Sequence, residues 1–220
     1  MLLIGWIFSI VSTFVMYAGF ELDMTDGRIR RHYGLFNQIE SFVPLRRIQA
    51  VRTTQTVLQR WFGVCKLYVE TAGSYQKEDI GGSSLISPLL EFGKLKGLTD
   101  ELLPGRDIDA VAWLKISPKS VLASVQRSGV PLVLAVTIVS AFLGWSWLFL
   151  MLPLLAYVSL LALLRFRTTG YGWTDQMFAS RHGAFSKTSV YVPLERIQCV
   201  VVRQSPLQRR LGLQSASVHT

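Results

Sequence analysis

Two kinds of hydrophobic pattern alternate along the chain: long apolar runs without charge, and short stretches where apolar and polar residues change places at every position. Residues 2–20 and residues 129–164 carry no charged side chain. The first run, at helical rise, covers about 28 Å, enough for one passage through a bilayer core. The second would make a single helix of about 54 Å, so two antiparallel spans are expected, turning at Gly144, Trp145 and Ser146. Trp6, Tyr17, Trp145 and Trp147 lie near the ends of these runs, as interfacial aromatics do. No basic stretch precedes the first run and no small-residue cleavage site comes after it, which disfavours a removed leader. Lys115, Lys119 and Arg127 precede the hairpin, Arg165 and Arg167 come after it, and its tip is uncharged. Both of its ends are therefore expected in the cytoplasm.

Between the runs the pattern is strand-like. Residues 21–24 lead into Asp26-Gly27, a hairpin-turn dipeptide. Residues 29–35, 41–43, 48–51 and 66–70 read as short strands, and Gly73-Ser74-Tyr75 as a turn. Pro88 is expected to open an amphipathic helix on which Leu89, Leu90, Phe92, Leu95, Leu98, Leu102 and Leu103 recur at helical spacing, with Pro104-Gly105 ending it. Strands closed by one helix suggest a small antiparallel barrel or sandwich.

The strand pattern occurs twice. Residues 25–71 align without a gap on residues 174–220, with about 18 of 47 positions identical. The shared core reads Val43-Pro44-Leu45-Arg46-Arg47-Ile48-Gln49 in one copy and Val192-Pro193-Leu194-Glu195-Arg196-Ile197-Gln198 in the other. Leu58-Gln59-Arg60 with Gly63 matches Leu207-Gln208-Arg209 with Gly212. Extended upstream, the same offset lays residues 2–20 over 151–169, the second arm of the hairpin. The first span is then expected to run inward, with a further span before it. The second copy reaches Thr220, equivalent to Thr71, so half a barrel is expected there, in a protein that continues beyond this point.

Composition agrees with spans joined to water-exposed domains. The 220 residues are 50% hydrophobic with a net charge of +9, and the mean hydropathy is +0.35. Residues 21–127 carry about +3 and residues 165–220 about +6. This excess fits the positive-inside bias or contact with anionic headgroups; no nucleic-acid-binding signature accompanies it. Cys65 and Cys199 occupy non-equivalent positions and suit free thiols in a reducing compartment.

The run from Val43 to Gln49, with Leu58-Gln59-Arg60, Gly63 and Glu70-Thr71-Ala72-Gly73, resembles the bacterial membrane-flanked PH-like domain family, the YdbS/YdbT-like membrane proteins. The resemblance covers nearly the whole chain. It implies transmembrane α-helices plus β-rich PH-like domains, each an antiparallel seven-stranded barrel or sandwich capped by a C-terminal helix, the second domain truncated. The expected order is a transmembrane helix over 1–20, a PH-like domain over 21–106, a juxtamembrane linker over 107–128, a helical hairpin over 129–164 and the N-terminal part of a second domain over 165–220. It also implies a multi-pass bacterial inner-membrane protein with cytoplasmic domains.

No constellation for catalysis is found. His32, His182 and His219 are scattered, and the paired carboxylates Glu78-Asp79 and Asp107/Asp109 fall in turn-like sequence. Gly81-Gly82-Ser83-Ser84 lacks the lysine and helix of a phosphate loop. No cofactor and no metal is expected. The repeated motif, Pro44, Arg47, Ile48, Gln49, Leu58, Gln59, Arg60 and Gly63 with Pro193, Arg196, Ile197, Gln198, Leu207, Gln208, Arg209 and Gly212, has two readings. It staples loops across the barrel rim, or its arginines form a fork for phosphate oxygens. Arg28, Arg30 and Arg31 are candidate lipid-facing residues in the first copy, with only Arg181 nearby in the second. The expected partners are the lipid bilayer and either a second copy or a related membrane PH-like protein, and not nucleic acid. A non-enzymatic scaffold leads, with anionic-lipid binding in envelope maintenance or stress and toxin resistance as the alternative. A transporter component is disfavoured because the spans hold only residues such as Ser9, Ser12, Thr13, Thr137 and Ser140 as polar groups.

Overall fold

A computed structural model describes residues 2–25, 27–35, 38–71, 83–144, 149 and 151–220. Met1, Asp26 of the expected turn, Ala72 to Tyr75, Glu78-Asp79, Gly81-Gly82, and Trp145, Ser146 and Trp147 lie outside the described residues. The chain divides into two compact units, Met1–Asp109 and Ala110–Thr220.

The first unit opens with helix α1 (Leu2–Tyr17). Its 16 residues reach about 24 Å, less than the run of uncharged residues suggested. Gly19, at φ +66°, ends it in the left-handed conformation that glycine adopts without strain. Two backbone hydrogen bonds anchor the helix end: the Gly34 amide donates to the Ala18 carbonyl at 2.9 Å, and the Leu35 amide to that of Val15 at 3.2 Å.

Strands β1 (Glu21–Thr25), β2 (Arg28–Tyr33) and β3 (Ile39–Pro44) form an antiparallel meander. Strand β4 (Ile48–Thr56), the single-turn helix α2 (Val57–Trp61) and strand β5 (Val64–Thr71) make a hairpin, and β6 (Ser83–Glu91) pairs antiparallel with β5. Alternation on β5 sends Cys65, Leu67 and Val69 inward, and on β4, where the register shifts between Ile48 and Ala50, Ile48, Ala50 and Val51 are all buried; with Ile29 and Ile86 they form the core. Full burial of each large aliphatic side chain contributes about 1.5–3 kcal/mol.

The helix expected from Pro88 onward is shorter. Residues 88–91 belong to β6, Phe92–Lys94 make one 3-10 turn, and helix α3 covers only Leu95–Leu102. A short apolar run fits either period, and pairing with β5 decides it: Leu90 faces Cys65 and Glu91 faces Val64. Pro88 is tolerated because β6 is an edge strand and the register shifts there. Helix α3 buries Leu95, Thr99 and Leu102. The Thr99 hydroxyl is satisfied by donation to the carbonyls of Leu95 and Lys96, at 2.8 and 2.9 Å.

The second unit holds β7 (Leu114–Lys115), helices α4 (Lys119–Leu143) and α5 (Met151–Thr168), and strands β8 (Gly170–Trp173), β9 (Met177–His182) and β10 (Ser186–Pro193). Then come β11 (Cys199–Arg203), helix α6 (Pro206–Leu211) and β12 (Ser215–His219). Strands β7 to β10 pair antiparallel in chain order, and β11 with β12 forms a separate ribbon. A Cβ at Gly172 would sit 2.5 Å from the Ala112 carbonyl oxygen, so this position admits only glycine beside the backbone.

The stretch expected as a linker over 107–128 therefore contains β7 and the start of α4. Helix α4 begins at Lys119 rather than Gly129 and runs through Pro131. Arg165 and Arg167 occupy the last turn of α5 instead of lying beyond it. Lys119–Phe142 and Met151–Thr168 are long and apolar enough to cross a membrane. The two helices pack together near Gly129, where an added Cβ would lie 3.6 Å from Leu155.

Candidate functional site

The repeated motif builds the same two devices in both units. Pro44 ends β3, the 3-10 turn Leu45–Arg47 comes next, and buried Ile48 opens β4. The Leu45 amide donates to the Gly27 carbonyl at 3.0 Å. Pro193, the turn Leu194–Arg196 and Ile197 repeat this, and the Leu194 amide donates to the Gln176 carbonyl at 3.0 Å. The motif thus clamps the strand ending in proline to the turn of the preceding hairpin.

The second device is a capped helical turn. The Thr56 hydroxyl accepts from the Gln59 amide at 3.4 Å, while the Thr56 amide donates to the Gln59 side-chain carbonyl at 3.0 Å. Ser205 and Gln208 reproduce this at 3.2 and 2.8 Å. Each is a capping box that satisfies amides a single-turn helix would leave bare. Gly63 and Gly212, at φ +65° and +67°, close the two turns. Gln59, Gln208, Gly63 and Gly212 therefore hold backbone. Gln208 also donates from Nε2 to the Ser215 hydroxyl at 2.8 Å. Gln49 is half-buried and Gln198 exposed, so this pair does not share one environment.

The arginines of the motif are not brought together. Arg47 precedes β4 and Arg60 lies beyond its far end, and nine strand residues hold them about 30 Å apart along the strand. Arg47 and Arg60 therefore cannot serve together as a fork for one phosphate. Arg196 and Arg209 likewise flank β11.

On the meander the three arginines part company. Arg28 and Arg30 are exposed, and with Thr25 and Phe42 they line an open groove of about 420 Å³. Arg30 is engaged with Glu40 through an ion pair and faces Asp23 across the sheet. Arg31, expected to face lipid, points inward and is 5% exposed. Its guanidinium donates to the Leu85 carbonyl and, at 2.8 Å, to the Ser41 hydroxyl, so it ties β2 to β3 and β6. Alternation from buried Ile29 puts Arg31 on the inner face, and that signal was present in the sequence.

In the second unit the Arg181 guanidinium stacks 4.5 Å above the Trp113 ring, a cation–π contact that occupies its face. Cys65 is fully buried, and burial pushes its thiol up to about 11; Cys199 is exposed. Among the described residues no three metal-binding side chains cluster.

Sequence reasoning missed the surface at α2. Val57, Leu58, Trp61 and Phe62 are all exposed there, at 85% and 76% for the last two. Two adjacent aromatics at the turn of a hairpin, where polar residues are usual, were the signal.

The profile of the family described as Bacterial PH domain matches residues 1–112 and, a second time, residues 121–220. A protein of Bacillus subtilis (strain 168) described as UPF0699 transmembrane protein YdbT is 26% identical over 104 residues. That match covers 47% of this chain and 21% of the relative's length. No solved structure matches the chain.

Proposed function

This chain belongs to the bacterial PH domain family, and on that premise we propose that it is a non-enzymatic interaction module held at a membrane, with its β-rich units on the cytoplasmic side. One observation carries this reading. The positions shared by the two copies hold backbone, while the strand between them in the motif meets opposite environments. Val51 on β4 is fully buried, whereas its equivalent Val200 on β11 is 55% exposed, as is Val202. An apolar strand face that helix α3 covers in one copy, and that no described residue equivalent to α3 covers in the other, suits packing against protein of the same fold. The partner is a second copy of the chain or a related membrane PH-like protein, since in the first unit helix α3 of the same fold packs on β4 and a PH-like unit carries the matching surface.

Exposed Cys199, next to Val200, supplies the probe. A short thiol cross-linker applied to membranes holding the full chain is expected to give a Cys199-dependent product, lost in Val200→Asp and Val202→Asp. Absence of a cross-link, with no protein co-purifying, would remove the reading.

The groove at Arg28 and Arg30 favours a second reading, recognition of anionic headgroups as part of envelope maintenance. Enrichment of anionic over neutral lipid on the purified chain, falling with salt and with Arg28→Ala, supports it; equal recovery of both lipids excludes it.

A further inference from the structure

We propose that the capped turn α2 is a wedge that inserts Trp61 and Phe62 into the interfacial layer of the bilayer. Three observations combine. First, the turn is apolar and bare: Val57, Leu58, Trp61 and Phe62 are exposed, and the Phe92 amide donates to the Gly63 carbonyl at 2.8 Å, which brings exposed Phe92 beside them. Second, the turn is preorganised. A capping box at one end and a left-handed glycine at the other hold it without any partner, so little ordering accompanies insertion.

Third, the repeat shows which way this position faces. Helix α6, the equivalent of α2, lies against α4, one of the two helices able to span a membrane. Leu207 and Leu211 of α6 are half-buried, while their equivalents Leu58 and Phe62 are exposed. This place in the fold thus lies beside a spanning helix. In the second unit a membrane helix meets it, and in the first it stands open to lipid. The substitutions agree: Arg210 of α6 stands where α2 has Trp61, the residue type most typical of the membrane interface. Arg60, Lys66 and Lys94 border the turn, against Glu91, and complement anionic headgroups. The spanning helices keep the wedge near lipid at high effective concentration, so a small apolar surface suffices.

The test uses the full chain reconstituted in vesicles of phosphatidylethanolamine and phosphatidylglycerol. Buried Cys65 stays unreactive, Cys199→Ser removes the exposed thiol, and Phe62→Cys or, separately, Trp61→Cys takes an environment-sensitive fluorophore. Asp100→Cys on α3 serves as the water-facing reference. The wedge predicts that lipids quenching from the acyl chain remove most emission at positions 62 and 61, that aqueous iodide removes little, and that the reference behaves oppositely. Iodide quenching at both positions overturns the proposal. So does a label shielded from both quenchers, which would place protein over α2. Neither result touches the Cys199 cross-link, so failure here is separable from failure of the interaction reading.

Discussion

Strands β2 and β9 occupy the same place in the repeat and bury opposite faces. On β2 the positions of Arg28 and Arg30 face water and those of Ile29, Arg31 and Tyr33 face the core. On β9 the equivalents of Arg28 and Arg30 are Met177 and Ala179, both buried. Val51 on β4 and Val200 on β11 are the same residue in different surroundings: helix α3 packs on β4, and no equivalent of α3 is among the described residues of the second copy. The capping boxes and clamped turns, by contrast, match almost atom for atom. A repeat therefore transmits backbone devices faithfully, because a turn needs particular residues at particular positions. Which face of a strand is covered is set by what packs on it, and this can change by substitution at alternate positions.

The comparison breaks most sharply in the strands. Val51→Asp is expected to destabilise the first unit by more than about 4 kcal/mol, since it buries a charge in the core. Val200→Asp should change the stability of the second unit by no more than about 0.5 kcal/mol. Limited proteolysis of the full chain, with fragments assigned to each unit, reads both. Equal loss of protection in the two variants would show that β11 is packed within its own unit rather than left for a partner.

Next in size is the buried arginine. Arg31→Ala leaves the Leu85 carbonyl and the Ser41 hydroxyl without their donor, at about 1–3 kcal/mol. The equivalent change, Ser180→Ala, should be nearly silent in denaturant titrations. The capping boxes test the shared half of the comparison: Thr56→Ala and Ser205→Ala should each cost about 1 kcal/mol, and by similar amounts. A large difference between them would mean that one turn is held by something other than its cap.

The smallest effect belongs to the first unit alone. Lys96 pairs with Asp107 at 3.2 Å and Asp109 at 3.4 Å. Hydrogen bonds from the Asp109 amide and from Lys96 hold the Asp107 carboxyl below its ordinary 3.8, so its contribution is present above that value and lost as pH falls through the lower folded value. The hydrogen bond with Asp107 raises Lys96 above 10.5, so that contribution is present below 10.5 and fades as pH rises past it. Lys96→Ala should flatten both limbs of the melting temperature against pH, slightly, because every partner is exposed.

How far the sequence could be read divides along the same line. Strands β2 to β5 and their hairpin were legible because alternation is local, and the apolar hairpin because length and charge decide it. Pro88 misled: it is a helix opener in isolation, and only the pairing of Leu90 with Cys65 makes it part of an edge strand. Arg31 was read by residue type, although Ile29 fixed its direction. The capping role of Gln59 is written in Thr56-x-x-Gln59, a spacing with its own mechanism. Trp61 and Phe62 stand at a hairpin turn, where polar residues are usual, so their side-by-side placement flagged the surface, but its extent depends on the packing around them.

The edge formed by β6 limits how the first unit can assemble. A proline there removes one amide, the register shift twists the strand away from a neighbour, and Arg31 already engages the Leu85 carbonyl. Another chain is thereby denied the row of free backbone groups it would need to extend the sheet. Contacts made through this edge must run through side chains, which restricts strand-to-strand growth at β6 in a protein crowded into the plane of a membrane.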